Sequence, residues 1–417
     1  MTTYRQKKQV YAWALYDWAN SAYATAVMAG FFPLFFKEYW SGDMASSEST
    51  FWLGLANAAG ALLIAMLAPV LGAIADQGGL KRQMLLAFTS LGVVTTAALF
   101  LVGQGAWTWA LIIYLLGALG FSGANIFYDA LIVDVADKHE LDRASALGYG
   151  LGYIGGGVLF AFDVWMVSRP EIFGLLNSAE AVRWSFISVA IWWAVFTLPM
   201  GLWVRERKGR SRISLWAASR NGFRQLLETF HHLRGLKSVW LFLLAYFFYI
   251  DGVNTVARMA VDYGLSLGFT SQVLIAALLL TQFIAFPAAI ALGWAGDRFG
   301  AKPVLLLAIL VYALVCIWSS TMQHEQDFYV LAAAIGLVMG GIQSLSRSMY
   351  ARMIPSEQSA EFFGFFNMLG KFSAVLGPAL MGASSMLSGS ARISIIVIVL
   401  LFALGAVFLC FVRDERV

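Results

Sequence analysis

The stretches Gly72-x-x-x-Asp76-x-x-Gly79-x-Lys81 and Gly293-x-x-x-Asp297-Arg298-x-Gly300-x-Lys302 decide how this chain is read. Four residue types recur at identical spacing, and each copy follows an apolar run long enough to span a bilayer. Chance rarely matches four positions in corresponding loops, so the chain reads as a duplicated unit. Glycine allows a tight turn and a close approach of helices, while an aspartate near a helix end can pair with nearby cations. Gly72, Asp76, Gly79 and Lys81, with Gly293, Asp297, Arg298, Gly300 and Lys302, are therefore expected to form a conformational latch. Gln77 stands where the second copy has Arg298, so the two latches are not expected to be equally strong.

Working outward, a spanning helix needs roughly 20 mainly apolar residues, because no backbone amide can find water inside a bilayer. Twelve stretches meet this. Six run from Tyr11 to Tyr39, Trp52 to Ala75, Met84 to Gly103, Trp107 to Val135, Ala146 to Val167 and Trp184 to Val204. Six more run from Val239 to Tyr263, Val273 to Gly296, Val304 to Ser320, Phe328 to Tyr350, Phe362 to Met386 and Ile393 to Val412. The expected fold is thus an all-α integral membrane protein with 12 transmembrane helices in two six-helix bundles, 1–204 and 238–417. The connection 205–237 carries Ile213, Trp216, Phe223, Leu227 and Phe230 near helical spacing with Arg220, Arg224 and Arg234 between them, which predicts an interfacial amphipathic helix.

Composition agrees. The 417 residues are 60% hydrophobic and only 12% charged, against about 25% charged in soluble domains. Lys81, Arg82, Lys138, Arg143, Arg205, Arg298, Lys302, Arg352 and Arg413 fall on one side of the predicted spans. Asp43, Glu48, Glu171, Glu180, Glu325 and Asp327 fall on the other, with Arg169, Arg183 and Arg392 as exceptions. This bias predicts both termini in the cytoplasm, in a multi-pass inner (plasma) membrane. The long first span with Asp17 and Asn20 inside it reads as a retained helix and not a signal peptide.

Two longer motifs narrow the reading. Trp13-Ala-Leu-Tyr-Asp17-Trp-Ala-Asn20-Ser-Ala-Tyr opens the chain, followed by Gly30-Phe-Phe-Pro33. Gly340-Gly-Ile-Gln343-Ser-Leu-Ser-Arg347-Ser-Met-Tyr350-Ala-Arg352-Met-Ile-Pro355 precedes Glu361-Phe-Phe-Gly364 and the Gly370-Lys371 to Pro378 stretch. The paired turns resemble the signature loop of the major facilitator superfamily. The longer motifs resemble its vacuole-effluxer-like branch, the autophagy-related amino acid effluxers and their bacterial relatives. Phe127-Tyr128-Asp129-Ala130 resembles a pattern of that branch that more often has asparagine in third place. The resemblance covers nearly the whole chain and implies alternating-access export of an amino acid or similar metabolite.

A charge at the bilayer centre must face protein or a water-filled cavity. Asp17 and Asn20 share one face of the first helix, and Asp251 and Asn254 share one face of the seventh, with Arg258 on nearly the same face. Lys371 is a further mid-membrane cation. With Tyr16 and Tyr23, these residues are the candidates for binding a solute or protons, and Asp17 or Asp251 is the expected proton carrier. A cavity with both signs suits a zwitterion, since each ligand charge exchanges hydration for a fixed partner. A peptide-like, nucleoside or siderophore solute, or lipid scrambling, remains an alternative.

The run from Gly148 to Gly157 lies inside a span with no preceding strand, so it reads as helix packing and not as a nucleotide loop. No motif indicates an enzyme, a cofactor, a metal site, ATP use or nucleic acid binding. The expected partners are a small-molecule substrate, the lipid bilayer and protons, with the chain acting as a monomer.

Overall fold

The computed structural model describes residues 2–206, 237–266, 268–388 and 391–413. The predicted amphipathic linker helix lies almost wholly outside these residues. The described residues form helices and turns, with no strand among them.

Helix α1 (Thr2–Ala22) continues through a π-helical segment (Tyr23–Phe31) and further turns to Trp40. Pro33 in that stretch has no amide to donate, and a widened π turn absorbs the loss. Then come α2 (Ser46–Gly78), α3 (Lys81–Ala98), α4 (Trp107–Ala130), α5 (Leu141–Ser168) and α6 (Ser178–Trp203). After the linker follow α7 (Lys237–Ser266), α8 (Ser271–Phe299), α9 (Ala301–Ser319), α10 (Glu325–Met353), α11 (Ser359–Ser388) and α12 (Ala391–Phe411).

Ten of these helices are long and apolar enough to cross a membrane. Helices α11 and α12 occupy the two remaining predicted stretches. Several helices overrun their apolar windows, because a capped end can extend beyond the lipid. Helix α6 begins six residues before the predicted Trp184, where the Asn177 side chain accepts the Glu180 amide at 2.9 Å.

Helices α1 to α6 form a first set and α7 to α12 a second. The sets meet mainly where α2 packs on α11 and where α5 packs on α8 and α10. Glycines make the closest of these contacts possible. A Cβ at Gly72 would lie 2.2 Å from the Ala360 carbonyl oxygen, and one at Gly293 would lie 2.2 Å from the Ala146 Cβ. The glycines of α5 serve two faces: Gly152, Gly155 and Gly156 abut α1, and Gly150 abuts α8. Gly79 and Gly300 close the two repeated turns with φ of 61° and 106°, a region L side chains rarely adopt. We call the end of the molecule bearing these turns the turn end, and the opposite end the far end.

Candidate functional site

The contacts between the two sets at the turn end are charged, and the central ones are buried. At their centre is Arg347 of α10, 1% exposed and roughly 9 Å of helix rise inside the Met353 end. Its guanidinium donates to Asp129 Oδ1 of α4 at 3.1 Å and to the Ser145 hydroxyl and carbonyl oxygens of α5 at 2.9 Å each. Asp17 Oδ2 of α1 lies 3.9 Å from it and accepts the Tyr128 hydroxyl at 3.2 Å. Asn367 of α11 donates to the other Asp129 oxygen at 3.0 Å. The Trp13, Tyr128 and Tyr149 rings lie 4.3–5.1 Å from the guanidinium carbon. Two acids from the first set thus hold one cation from the second inside an aromatic box, where little water weakens the attraction.

A second layer lies nearer the turns. Asp142 of α5 accepts Arg352 of α10 at 2.7 Å and also the Ser348 hydroxyl. Asp297 pairs with Arg143 at 2.5 Å. Asp76 accepts the backbone amides of Ala360 and Glu361 at 3.1 and 2.8 Å, so its carboxylate satisfies the open N-terminus of α11. Lys81 lies 3.4 Å from Asp76, 3.1 Å from Asp134 and 2.7 Å from the Ser359 hydroxyl. The two repeat copies make different contacts. Lys302 donates at 2.8 Å to the carbonyls of Cys410, in the last turn of α12, and of Val412 just after it. Arg298 stacks over Trp294 and Phe299.

Further from the turns, the cross-set bonds among the described residues are neutral. Tyr153 donates to Gln343 at 2.6 Å, and Gln282 donates to Thr25 in the π segment of α1 at 3.0 Å.

The predicted site residues divide among these places. Asp17 belongs to the Arg347 cluster, and Asn20 pairs with Asn125 at 2.6 Å. Tyr16 bonds Thr89 at 2.8 Å, and Tyr23 is buried against Phe121 and Trp193, so both pack inside the first set. Asp251 is fully buried and accepts the Gly377 amide at 3.0 Å, where a Cβ would strike the Thr255 hydroxyl. Asn254 is half-buried one turn further along α7. Lys371 lines a narrow crevice between the sets with Ile64, Ala65, Ser122, Ile126 and Asn367. The Arg258 side chain lies outside the described ones. The contacts of Asp17 therefore reach α4 and α10, whereas those of Asp251 reach α11. Sequence reasoning did not single out Arg347, Asp142 or Arg352 as site residues, although Arg347 was visible as a cation inside a predicted span.

Just after α6, Glu206 Oε2 accepts the Lys81 amide at 2.7 Å, while the Arg82 guanidinium donates to the Gly201 and Val204 carbonyls at 3.3 and 3.2 Å. The start of α3 and the end of α6 thus cap each other. Burial pushes the Glu206 carboxyl from the ordinary 4.5 up to about 7, although the Lys81 and Arg82 amides and the Lys81 charge pull it down. The folded state therefore binds this proton more tightly than the unfolded chain does, and the resulting stabilisation is full below about 4.5 and lost as pH rises through about 7. Glu206→Gln should flatten this part of the stability-versus-pH curve, measured as melting temperature across that window. An unchanged slope would show that Glu206 does not control it.

An all-helical membrane chain with two matched helix sets and a buried charged seam between them is built as a transporter of the major facilitator type. A family model described as vacuole effluxer Atg22-like matches residues 44–140 and 134–417, and the chain belongs to that family. It is 39% identical over 416 residues to the uncharacterised MFS-type transporter YxiO of Bacillus subtilis, covering 99% of this chain and 96% of that one. It is 24% identical over 439 residues to autophagy-related protein 22 of Eremothecium gossypii, covering 90% and 85%. Its fold matches the crystal structure of the human organic anion transporter MFSD10 with a TM-score of 0.76 at 14% identity, covering 97% and 99%. The chain is a multi-pass membrane transporter and not an enzyme.

Proposed function

We propose that the chain moves a small polar solute, an amino acid or similar metabolite, across the plasma membrane by alternating access, with both termini in the cytoplasm. In this reading, twelve helices cross the bilayer as two six-helix bundles, 1–204 and 238–417, joined by the linker 205–237. The turn end faces the cytoplasm and is the closed side of the state described.

The observation that carries the reading is the Arg347–Asp129–Asp17 cluster. A buried ion pair roughly breaks even, because its attraction offsets the cost of leaving water. Such a seam can open onto water and close again with little net change in free energy, as a two-state gate requires. Apolar packing over the same area would hold the gate shut. The Asp76 and Asp297 contacts with α11 and α5 act as the latch in the same state. Asp251, Asn254, Arg258 and Lys371, deeper in the second bundle, are the candidates to meet the solute from that side. A protonated Asp17, or a solute carboxylate drawn to Arg347, would weaken the seam.

The test is binding followed by transport. Amino acids, nucleosides and short peptides are screened for a rise in melting temperature, and hits are carried into counterflow assays in proteoliposomes. Amino acids should give saturable counterflow that Lys371→Met weakens. Saturable counterflow by another solute class, with none by amino acids, would overturn the assignment of substrate.

A further inference from the structure

Most buried acids among the described residues face a cation. Asp17 and Asp129 face Arg347, Asp76 and Asp134 share Lys81, and Asp142 meets Arg352. Asp163 is held differently. It lies on α5 with no exposure, and its Oδ1 is 2.8 Å from the Ser188 hydroxyl of α6. Its Oδ2 has no hydrogen-bond partner among the described residues.

The elements around it supply no cation. Between Ala22 and Phe36, the α1 stretch holds Tyr23 as its titratable group. Helix α8 has no charged residue from Ser271 to Gly296, and α10 has none from Phe328 to Ser346. On α6, Arg183 gives its guanidinium to the Phe100 carbonyl at 2.9 and 2.7 Å, and Glu180 accepts the Leu176 amide. Lys37, Glu38, Arg169 and Glu171 are exposed at the far end.

Hydrogen counting gives the protonation state. Ser188 Oγ lies 2.8 Å from Asp163 Oδ1 and also 2.8 Å from the Ser185 carbonyl oxygen. A hydroxyl has one proton and cannot donate to both. If Asp163 is the neutral acid, its own proton goes to Ser188 Oγ, the Ser188 proton goes to Ser185, and both short contacts are hydrogen bonds. If Asp163 is ionised, one contact loses its proton and the pocket holds a charge with no counter-ion, which is costly. The shorter route along α5 to a helix end runs toward the far end. Phe160, one turn toward the turn end, is packed on Phe31 with ring centres 5.5 Å apart and covers that approach. The far end, at Ser168, is about 8 Å of helix rise away.

We propose that Asp163, paired with Ser188, is a proton-binding site of the first helix set that exchanges its proton with the compartment at the far end. The class of ligand is the proton itself. Opening α5 from α6 at the far end admits water and allows release, and closing restores the neutral acid, so this site can tie a proton to the movement of the first set.

The test needs no solute, so its failure is distinguishable from failure of the transport reading. The full chain is placed in lipid nanodiscs and its infrared spectrum is followed from neutral to alkaline buffer. Wild type should show the carbonyl band of a protonated, buried carboxylic acid at neutral pH, fading on alkalinisation, and Asp163→Asn should lack it. A wild type without the band, or a variant that keeps it unchanged, overturns the proposal. Should Asp163→Asn not fold, Ser188→Ala decides. Loss of the acceptor hydroxyl should move the band to higher frequency, and an unmoved band overturns the assignment. In oriented vesicles an alkaline jump on the far-end side should bleach the band, and bleaching from the turn-end side alone refutes the route.

Discussion

Arg347→Ala is expected to open the turn end and lower the melting temperature more than any other single change in the seam. The substitution leaves Asp17 and Asp129 together in a buried box with the cation removed. Removing one partner of a buried pair costs about 3–5 kcal/mol, because the remaining charge loses its partner without regaining water. Opening the seam relieves that cost by letting water reach both acids, so the change should appear as a shift of state as well as a loss of stability. Cysteines placed at the turn-end mouth should become reactive to a membrane-impermeant thiol reagent in the variant and stay protected in wild type. Adding Asp129→Asn should recover part of the lost melting temperature, since Asn367 and the hydroxyls around the box can still bond a neutral amide. Equal protection in Arg347→Ala and wild type would mean that the seam does not hold the gate.

The second large effect is expected at the bundle contact of α2 with α11. At Gly72 an added Cβ meets the Ala360 carbonyl oxygen at 2.2 Å, and at Gly364 it meets the Ala68 carbonyl oxygen at 2.6 Å. Both obstacles are backbone, so no side-chain rotation relieves them. Overpacking of this kind costs about 1–3 kcal/mol, a shift of about 5- to 150-fold between two states. Gly72→Leu should therefore depopulate the form closed at the turn end, read as a longer spin-label distance across α2 and α11. It also pulls Asp76 away from the Ala360 and Glu361 amides, which adds to the effect. An unaltered distance distribution would show that the close approach is not what holds this end shut.

These expectations differ in how much of them the linear chain revealed. The positions of the helices were visible because hydropathy is a property of contiguous residues, and bilayer thickness sets the length each run must reach. The repeated turns were visible for a similar reason. Gly79 and Gly300 stand where the backbone adopts positive φ, and that demand is local. Asp17 was visible as a charge inside an apolar run. That Arg347 is its partner was not, because the two lie far apart in the chain and a cation inside a predicted span does not say which acid it meets.

Asp163 gave less signal. It lies four residues before the predicted end of the fifth span, and only the tertiary structure shows that it is fully buried and bonded to Ser188 of α6. Likewise Lys81 and Lys302 occupy equivalent places in the repeat, yet one sits among Asp76, Asp134 and Ser359 while the other caps α12. Identical local spacing does not decide which helix arrives opposite.

By itself, then, the sequence determined the solvent of this protein and the turns that glycine must make, since each follows from residues adjacent in the chain. Only the tertiary structure decided which acid meets which cation. Asp129 and Arg347 are 218 positions apart and share a hydrogen bond because two helix sets close on each other, and no pattern along either helix encodes that meeting.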